Sequence, residues 1–410
     1  MQTLPLTDAE LAAWLRLANT PGLSRRAAHA LLRVFGLPQC VLAASHAALA
    51  EVVGAAAATA LLAPRASACE ARQAALRAWL AHAGNQLVTL ADPAYPRALL
   101  DVGDAPLLLH VSGRLELLHA PAVAIVGSRN ASPQGLASAQ AFAAALGAAG
   151  LTVVSGLAAG IDAAAHYGAL HSAGGTVAVM GTGADLIYPA RHRALAAQLA
   201  QRGALLSEWP LGTPARRAHF PQRNRLIAAL ARGVLVVEAA AQSGSLITAR
   251  LANEIGRDVY AMPGSIHAAL TKGCHRLIKE GAKLVETVAD ILEELSWPAA
   301  QAAHERHDTQ AARQTSGAGA GAGAGPAPAP LARRPCHRAP RDAVRAASTS
   351  PDAQAVLRAL GHDRAAPDVL ARRSGLSPAR VQSALLELEL SGRIAPLPCG
   401  RVEPLSGPPQ

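Results

Sequence analysis

Six short apolar runs, each followed by a stretch with helical spacing, restrict this chain to very few architectures. They occupy 122–127, 151–156, 176–181, 204–208, 234–239 and 258–262, and intervening segments such as 134–149 and 245–255 repeat apolar residues at helical intervals. Runs such as Ala122-Val-Ala-Ile-Val-Gly127 are apolar throughout, with no alternation of polar residues. A strand of that kind has no face to give to water, so both faces of its sheet must be covered. Strands joined by helices meet this demand as a mostly parallel sheet between helical layers. The expected fold class is α/β, an extended Rossmann-like sheet. Ligands of such sheets bind beyond the carboxyl ends of the strands, and several of these runs finish in Gly or Ser.

The flanks read differently. Residues 1–86 show helical spacing without strand alternation, and Thr20-Pro-Gly-Leu-Ser-Arg-Arg26 supplies a turn at Pro21-Gly22 and a cap at Ser24. The segment resembles a helical module of the SAM or helix-hairpin-helix kind, which either holds a phosphate on backbone amides or simply packs. The central domain spans 87–297. Residues 298–350 alternate Gly and Ala from Gly317 to Gly325 and then turn Pro- and Arg-rich, a linker composition with no core to bury. Beyond it, 352–359, 367–373 and 377–390 read as helices and 392–402 as a wing, so 351–405 is expected to be a winged-helix domain.

The formal net charge is +10, which favours an anionic partner. It is concentrated: between Glu208 and Glu238 lie five arginines and no acid. The five cysteines lie far apart without a CxxC pair, which gives neither a disulfide framework nor a zinc site. No secretory signal or membrane span is visible in the sequence, and a soluble cytoplasmic protein is expected.

The candidate site lies on the strand-end loops. Gly127, Ser128 and Arg129 follow the first run, where backbone amides and a helix N-terminus suit a phosphate, or where glycine merely makes a tight turn. GxGxxG is absent, and the second run ends in Ser155 where a ribose-binding acid would stand, so NAD is not expected. Ser155-Gly156-Leu-Ala-Ala-Gly160-Ile-Asp162 is a second loop, with Asp162 read as a helix cap. The densest signal is Arg216-Arg217-Ala-His-Phe220-Pro-Gln-Arg223-Asn224-Arg225. Arginines that follow a phosphate backbone, beside an aromatic face for a base, are what single-strand binding requires. The alternative places Phe220 in the core, and Asn224 either meets a base edge or caps a helix. Ser243, Gly244 and Ser245 form a third loop, either a phosphate nest or a cap. No paired carboxylates, metal-ligand spacing or GxSxG elbow appears, so neither catalysis nor a metal or cofactor is expected.

These motifs, with Met262-Pro-Gly264 and Gly273-Cys-His-Arg-Leu-Ile-Lys-Glu-Gly-Ala282, resemble the DNA-processing protein A family (DprA/Smf), tightly over about 120–290. The resemblance implies a homodimer that binds single-stranded DNA during natural transformation and loads a RecA-type recombinase. It also implies that Arg129 and the Arg217–Arg225 segment with Phe220 are the DNA contacts. Two other classes share parts of this pattern. A phosphoribohydrolase of the LOG group shares such a core, but its Pro-Gly-Gly loop and catalytic glutamate are replaced here by Ser243-Gly-Ser. A pure adaptor would act through the C-terminal domain, whose third helix carries Arg380 but also Glu387 and Glu389.

Overall fold

The structure is a computed structural model that describes residues 3, 5–64, 67–298, 350–360, 365–391, 393–396 and 402–404. The chain divides into two units, residues 1–291 and 292–410.

The first unit opens with α1 (Asp8–Asn19), α2 (Arg25–Phe35), α3 (Pro38–Ala43), α4 (His46–Val53), α5 (Ala55–Leu62) and α6 (Ser67–Leu80). Thr7 and Glu10 close a capping box at the start of α1, and the Ser24 side chain accepts from the Ala27 amide at the start of α2. Trp14, Leu17, Leu31, Leu49 and Leu61 form the core of these helices, and that core continues onto Leu87, Leu107 and Leu108 of the next layer. The helices and the sheet therefore share buried surface.

After them come β1 (Asn85–Thr89), β2 (Leu108–Gly113), β3 (Ala122–Val126), α7 (Pro133–Ala148), β4 (Thr152–Ser155) and α8 (Ile161–Ala169). The series continues with β5 (Thr176–Val179), α9 (Arg193–Arg202), β6 (Ala204–Ser207), α10 (His219–Leu230), β7 (Gly233–Val236) and α11 (Ser245–Glu254). It ends with β8 (Asp258–Ala261), α12 (Lys272–Lys279), β9 (Lys283–Leu284) and α13 (Val288–Glu294). The sheet runs β1-β2-β6-β5-β4-β3-β7-β8-β9. From β6 to β9 all neighbours are parallel, whereas β2 is antiparallel to both β1 and β6.

All six expected strands are present, and the mostly parallel α/β class is correct. Every residue of β3 to β7 is buried, as double coverage requires. Side chains sort by alternation: Val177 and Val179 of β5 join the core with Leu226 and Ala229 of α10, while Ala178 between them joins Leu195 and Leu199 of α9. The order reverses at β3, with β4 to β6 on one side and β7 to β9 on the other. The crevice for a ligand consequently opens between the loops after β3 and β7.

The second unit contains α14 (Pro351–Leu360), α15 (Pro367–Ser374) and α16 (Pro378–Leu390), followed by β10 (Ile394–Pro396) paired antiparallel with β11 (Val402–Pro404). Val356, Leu360, Leu370, Val381, Leu388 and Ile394 make its core. Three helices and an antiparallel pair give the winged-helix arrangement. Arg380 of α16 spans both carboxylate oxygens of Asp352 at 2.6 and 2.7 Å, so its fork is engaged inside the unit. The expected linker, apart from its ends, lies outside the described residues, as does the tip of the wing.

Candidate nucleic-acid interface

The loop after β3 turns through Gly127 and Ser128 to the exposed Arg129 and then enters α7. Ser132 caps that helix, its Oγ accepting from the Gly135 amide at 3.0 Å. The crevice is not vacant there. Glu238, just beyond β7, accepts from the Ser132 amide at 2.9 Å and from the Ser132 Oγ at 2.5 Å. Gly135 makes the approach feasible, because a Cβ at that position would lie 2.5 Å from the Glu238 carboxyl carbon. A carboxylate at a helix N-terminus is favourable for the same reason a phosphate is. The phosphate position anticipated at this helix start is thus filled by the protein's own anion.

The second loop is built inward. The Ser155 Oγ donates to the Ile125 carbonyl at 2.6 Å across the β3–β4 pair. Gly156 offers its carbonyl to the Arg223 guanidinium at 2.5 Å, and the same nitrogen also donates to the Val179 carbonyl. Gly160, not Asp162, is the residue at the start of α8, and the Asp162 carboxylate instead accepts from the Ala158 amide at 3.3 Å. Burial raises the Asp162 carboxyl pKa, while the field of Arg223 opposes the rise. Burial likewise pulls Arg223 down to about 10, which leaves it charged at neutral pH. Leu157 holds a left-handed φ of 58°, a strained state for a branched residue, and its carbonyl is bonded to the His192 Nδ1 at 2.9 Å. His166 is a core residue bonded to the Thr176 hydroxyl, and burial lowers its pKa to about 3.

The arginine-rich segment divides by direction. Arg216 and Arg217 precede α10 and are exposed. Arg223 is only 3% exposed and braces the loop at Gly156. Arg225 also turns inward: its guanidinium lies 2.5 Å from Glu208 and 3.3 Å from Asp104. Arg25 of α2 reaches the same two acids, at 3.0 and 3.4 Å. The expectation that Arg223 and Arg225 face a phosphate backbone is therefore corrected, since both are held by internal acceptors. Asn224 sits within α10 and neither caps a helix nor stands free: its Nδ2 donates to the Gly244 carbonyl at 3.4 Å. That bond ties α10 to the third loop, where the Ser243 and Ser245 hydroxyls pair at 2.7 Å and Ser245 is buried.

Phe220 is half-buried at the carboxyl end of β5. The Arg129 guanidinium lies over its ring, 5.2 Å from the centroid. Gly181 leaves room for the ring, because a Cβ there would come within 3.0 Å of it. Tyr188 approaches Phe220 with centroids 5.5 Å apart at 44°. The structure thus gathers Gly127 to Arg129, Ser155 to Gly160, Phe220 and Arg223 at one edge of the sheet. Arg129 and Arg217 remain the exposed cations of the set. Glu238 and Tyr188 were not anticipated as part of it. Among the described residues no cluster of His, Cys, Asp and Glu could hold a metal, and no helix is long and apolar enough to cross a membrane.

Residues 86–296 match the family described as DNA recombination-mediator protein A, and residues 339–400 match the DprA winged helix domain. The chain is 48% identical over 209 residues to DNA processing protein DprA of Streptococcus pneumoniae, covering 51% of this chain and 74% of that protein. It is 40% identical over 332 residues to Protein Smf of Escherichia coli, covering 79% of each. The X-ray structure of DNA processing protein A from Streptococcus pneumoniae superposes with a TM-score of 0.58 at 37% identity, covering 71% of this chain and 99% of that one.

Proposed function

Since the chain belongs to the DNA recombination-mediator protein A family, we propose that it binds single-stranded DNA along the carboxyl-terminal edge of its sheet and loads a RecA-type recombinase onto that strand during natural transformation. A role in DNA processing comes with the family; the strand preference, the recombinase and a cytoplasmic homodimer are parts of this proposal. The observation that carries it is the Arg129 guanidinium over the Phe220 ring, in a region where Arg129, Arg216 and Arg217 are exposed and form no salt bridge among the described residues, although the field of Arg129 reaches the buried Asp162. Cations that track a backbone beside a ring that meets bases suit a strand whose bases are unpaired.

In this reading Arg129, Arg217 and Phe220 touch the strand. The loops bearing Gly127, Ser128, Gly156, Gly160, Ser243, Gly244 and Ser245 shape the groove, while Arg223, Asn224 and Arg225 hold α10 in place. The protein performs no turnover of its own. Glu238, beside the crevice, is held by the amide and hydroxyl of the cap residue Ser132 and offers no free base to a nucleotide.

Fluorescence anisotropy with a labelled thymidine oligonucleotide and a matched duplex, titrated across salt, tests the proposal. The single strand binds more tightly. Arg129→Ala and Arg217→Ala each make the log–log salt slope shallower by roughly 0.7, and Phe220→Ala lowers affinity by about 1–3 kcal/mol at every salt concentration. Equal affinity for duplex and single strand, or parental slopes in both arginine variants, refutes it.

A further inference from the structure

Tyr188 is a large aromatic residue that the core does not use. It is 51% exposed, and its hydroxyl has no partner among the described residues. Single exposed apolar side chains are ordinary on protein surfaces, but this one is held in position by a loop fixed at several points. The Thr182 hydroxyl donates to the Leu186 carbonyl at 2.5 Å, and both oxygens of Asp185 accept from the Gly212 amide at 2.9 Å. Ile187 packs on the cluster containing Leu157 and Leu195. Just beyond, His192 is bonded to the Leu157 carbonyl. The ring so placed lies 5.5 Å from Phe220, the ring that Arg129 covers and Gly181 admits. Phe220 is therefore the anchored member of the pair and Tyr188 the presented one.

We infer that Tyr188 is a second stacking residue of the interface, whose exposed ring receives a nucleobase of the bound strand beside Phe220. The inference rests on the single-strand reading of this edge. Holding an aromatic face before the ligand arrives reduces the ordering cost of binding, and stacking tolerates any base because every base has a π-face. A different role, as an apolar cover for Phe220, would need bulk but no aromatic ring.

Leucine separates the two roles. Tyr188→Leu keeps a cover over Phe220 and removes the π-face, and it is expected to weaken oligothymidine binding roughly five- to hundred-fold with an unchanged salt slope. Tyr188→Phe is expected to stay within about twofold of the parent. Photo-crosslinking of an oligonucleotide carrying 5-iodouracil, followed by peptide mapping, should mark the peptide containing Tyr188. If Tyr188→Leu binds like the parent while Arg129→Ala and Phe220→Ala are weakened, Tyr188 is a cover and the inference fails alone. If none of the three variants is weakened, the inference falls together with the site. Circular dichroism of each variant confirms that the fold is intact.

Discussion

Replacing Arg225 by alanine should cost stability, not DNA contacts. The Glu208 side chain is fully buried, 2.5 Å from Arg225 and 3.0 Å from Arg25, and its Oε1 has no partner. Burial already pushes the Glu208 carboxyl pKa up, against the fields of Arg225 and then Arg25. Without Arg225 the carboxylate depends on Arg25, whose side chain is 32% exposed and whose field water weakens. Breaking one partner out of a buried ion pair costs about 3–5 kcal/mol. With a urea dependence of about 3 kcal/mol per molar for a chain of this size, the midpoint falls by roughly 1–1.7 M. The assay is urea unfolding of the full chain followed by circular dichroism, paired with the salt titration of DNA binding under native conditions. The folded variant should keep the parental salt slope. Adding Glu208→Leu should recover part of the loss, because a hydrophobic replacement of a buried pair is often neutral. Parental stability together with a slope shallower by about 0.7 would identify Arg225 as a phosphate contact after all.

Two further outcomes follow from buried groups. Burial lowers the His110 pKa to about 4 and that of His166 to about 3. Unfolded histidine takes its proton near 6.5, so below that pH the unfolded chain binds protons the folded chain refuses, and their stabilisation drains away until the folded values are reached. Unfolding free energies of the parent and a His166→Gln variant, from urea titrations between pH 7.5 and 5, should differ in slope by up to about 1.4 kcal/mol per pH unit; parallel profiles would contradict the assignment. Glu238→Ala should leave the amide and hydroxyl of Ser132 at the start of α7 without their acceptor, costing about 1–3 kcal/mol. Inorganic phosphate should then raise the melting temperature of the variant more than that of the parent. An equal response to phosphate in both proteins would show that the carboxylate is not what fills the site.

The sheet was legible where burial is complete. Runs such as Val123 to Val126 and Val234 to Val237 admit no other placement, whereas β1, β2 and β9 escaped notice. β2 carries His110 and Ser112 and ends at Gly113, and β9 is only two residues long, so neither shows a continuous apolar run. The loops of the site were legible because small residues mark strand ends. The direction of each arginine was not. Arg217, Arg223 and Arg225 look alike in a list of charges, and what distinguishes them is distant in the chain: Gly156 and Val179 for Arg223, Asp104 and Glu208 for Arg225. Glu238 meets Ser132 across 106 residues, a contact that no local pattern announces. Tyr188 lies in a loop whose periodicity is neither helical nor extended, and only its neighbour Phe220 gives it meaning.

The antiparallel rim of the sheet also sets an order of events in time. β2 is completed at Gly113, but its partner β6 begins only at Ala204. At about 5–20 residues per second, a ribosome needs roughly 5–20 s to deliver the intervening segment. Throughout that interval β2 has β1 on one edge and an open row of amides and carbonyls on the other, the template on which nascent chains aggregate. The α1–α6 helices have already been synthesised by then, and Leu87, Leu107 and Leu108 of the waiting ribbon lie in their core. The leading helices thus cover one face of the unfinished ribbon, while its open edge waits for β6.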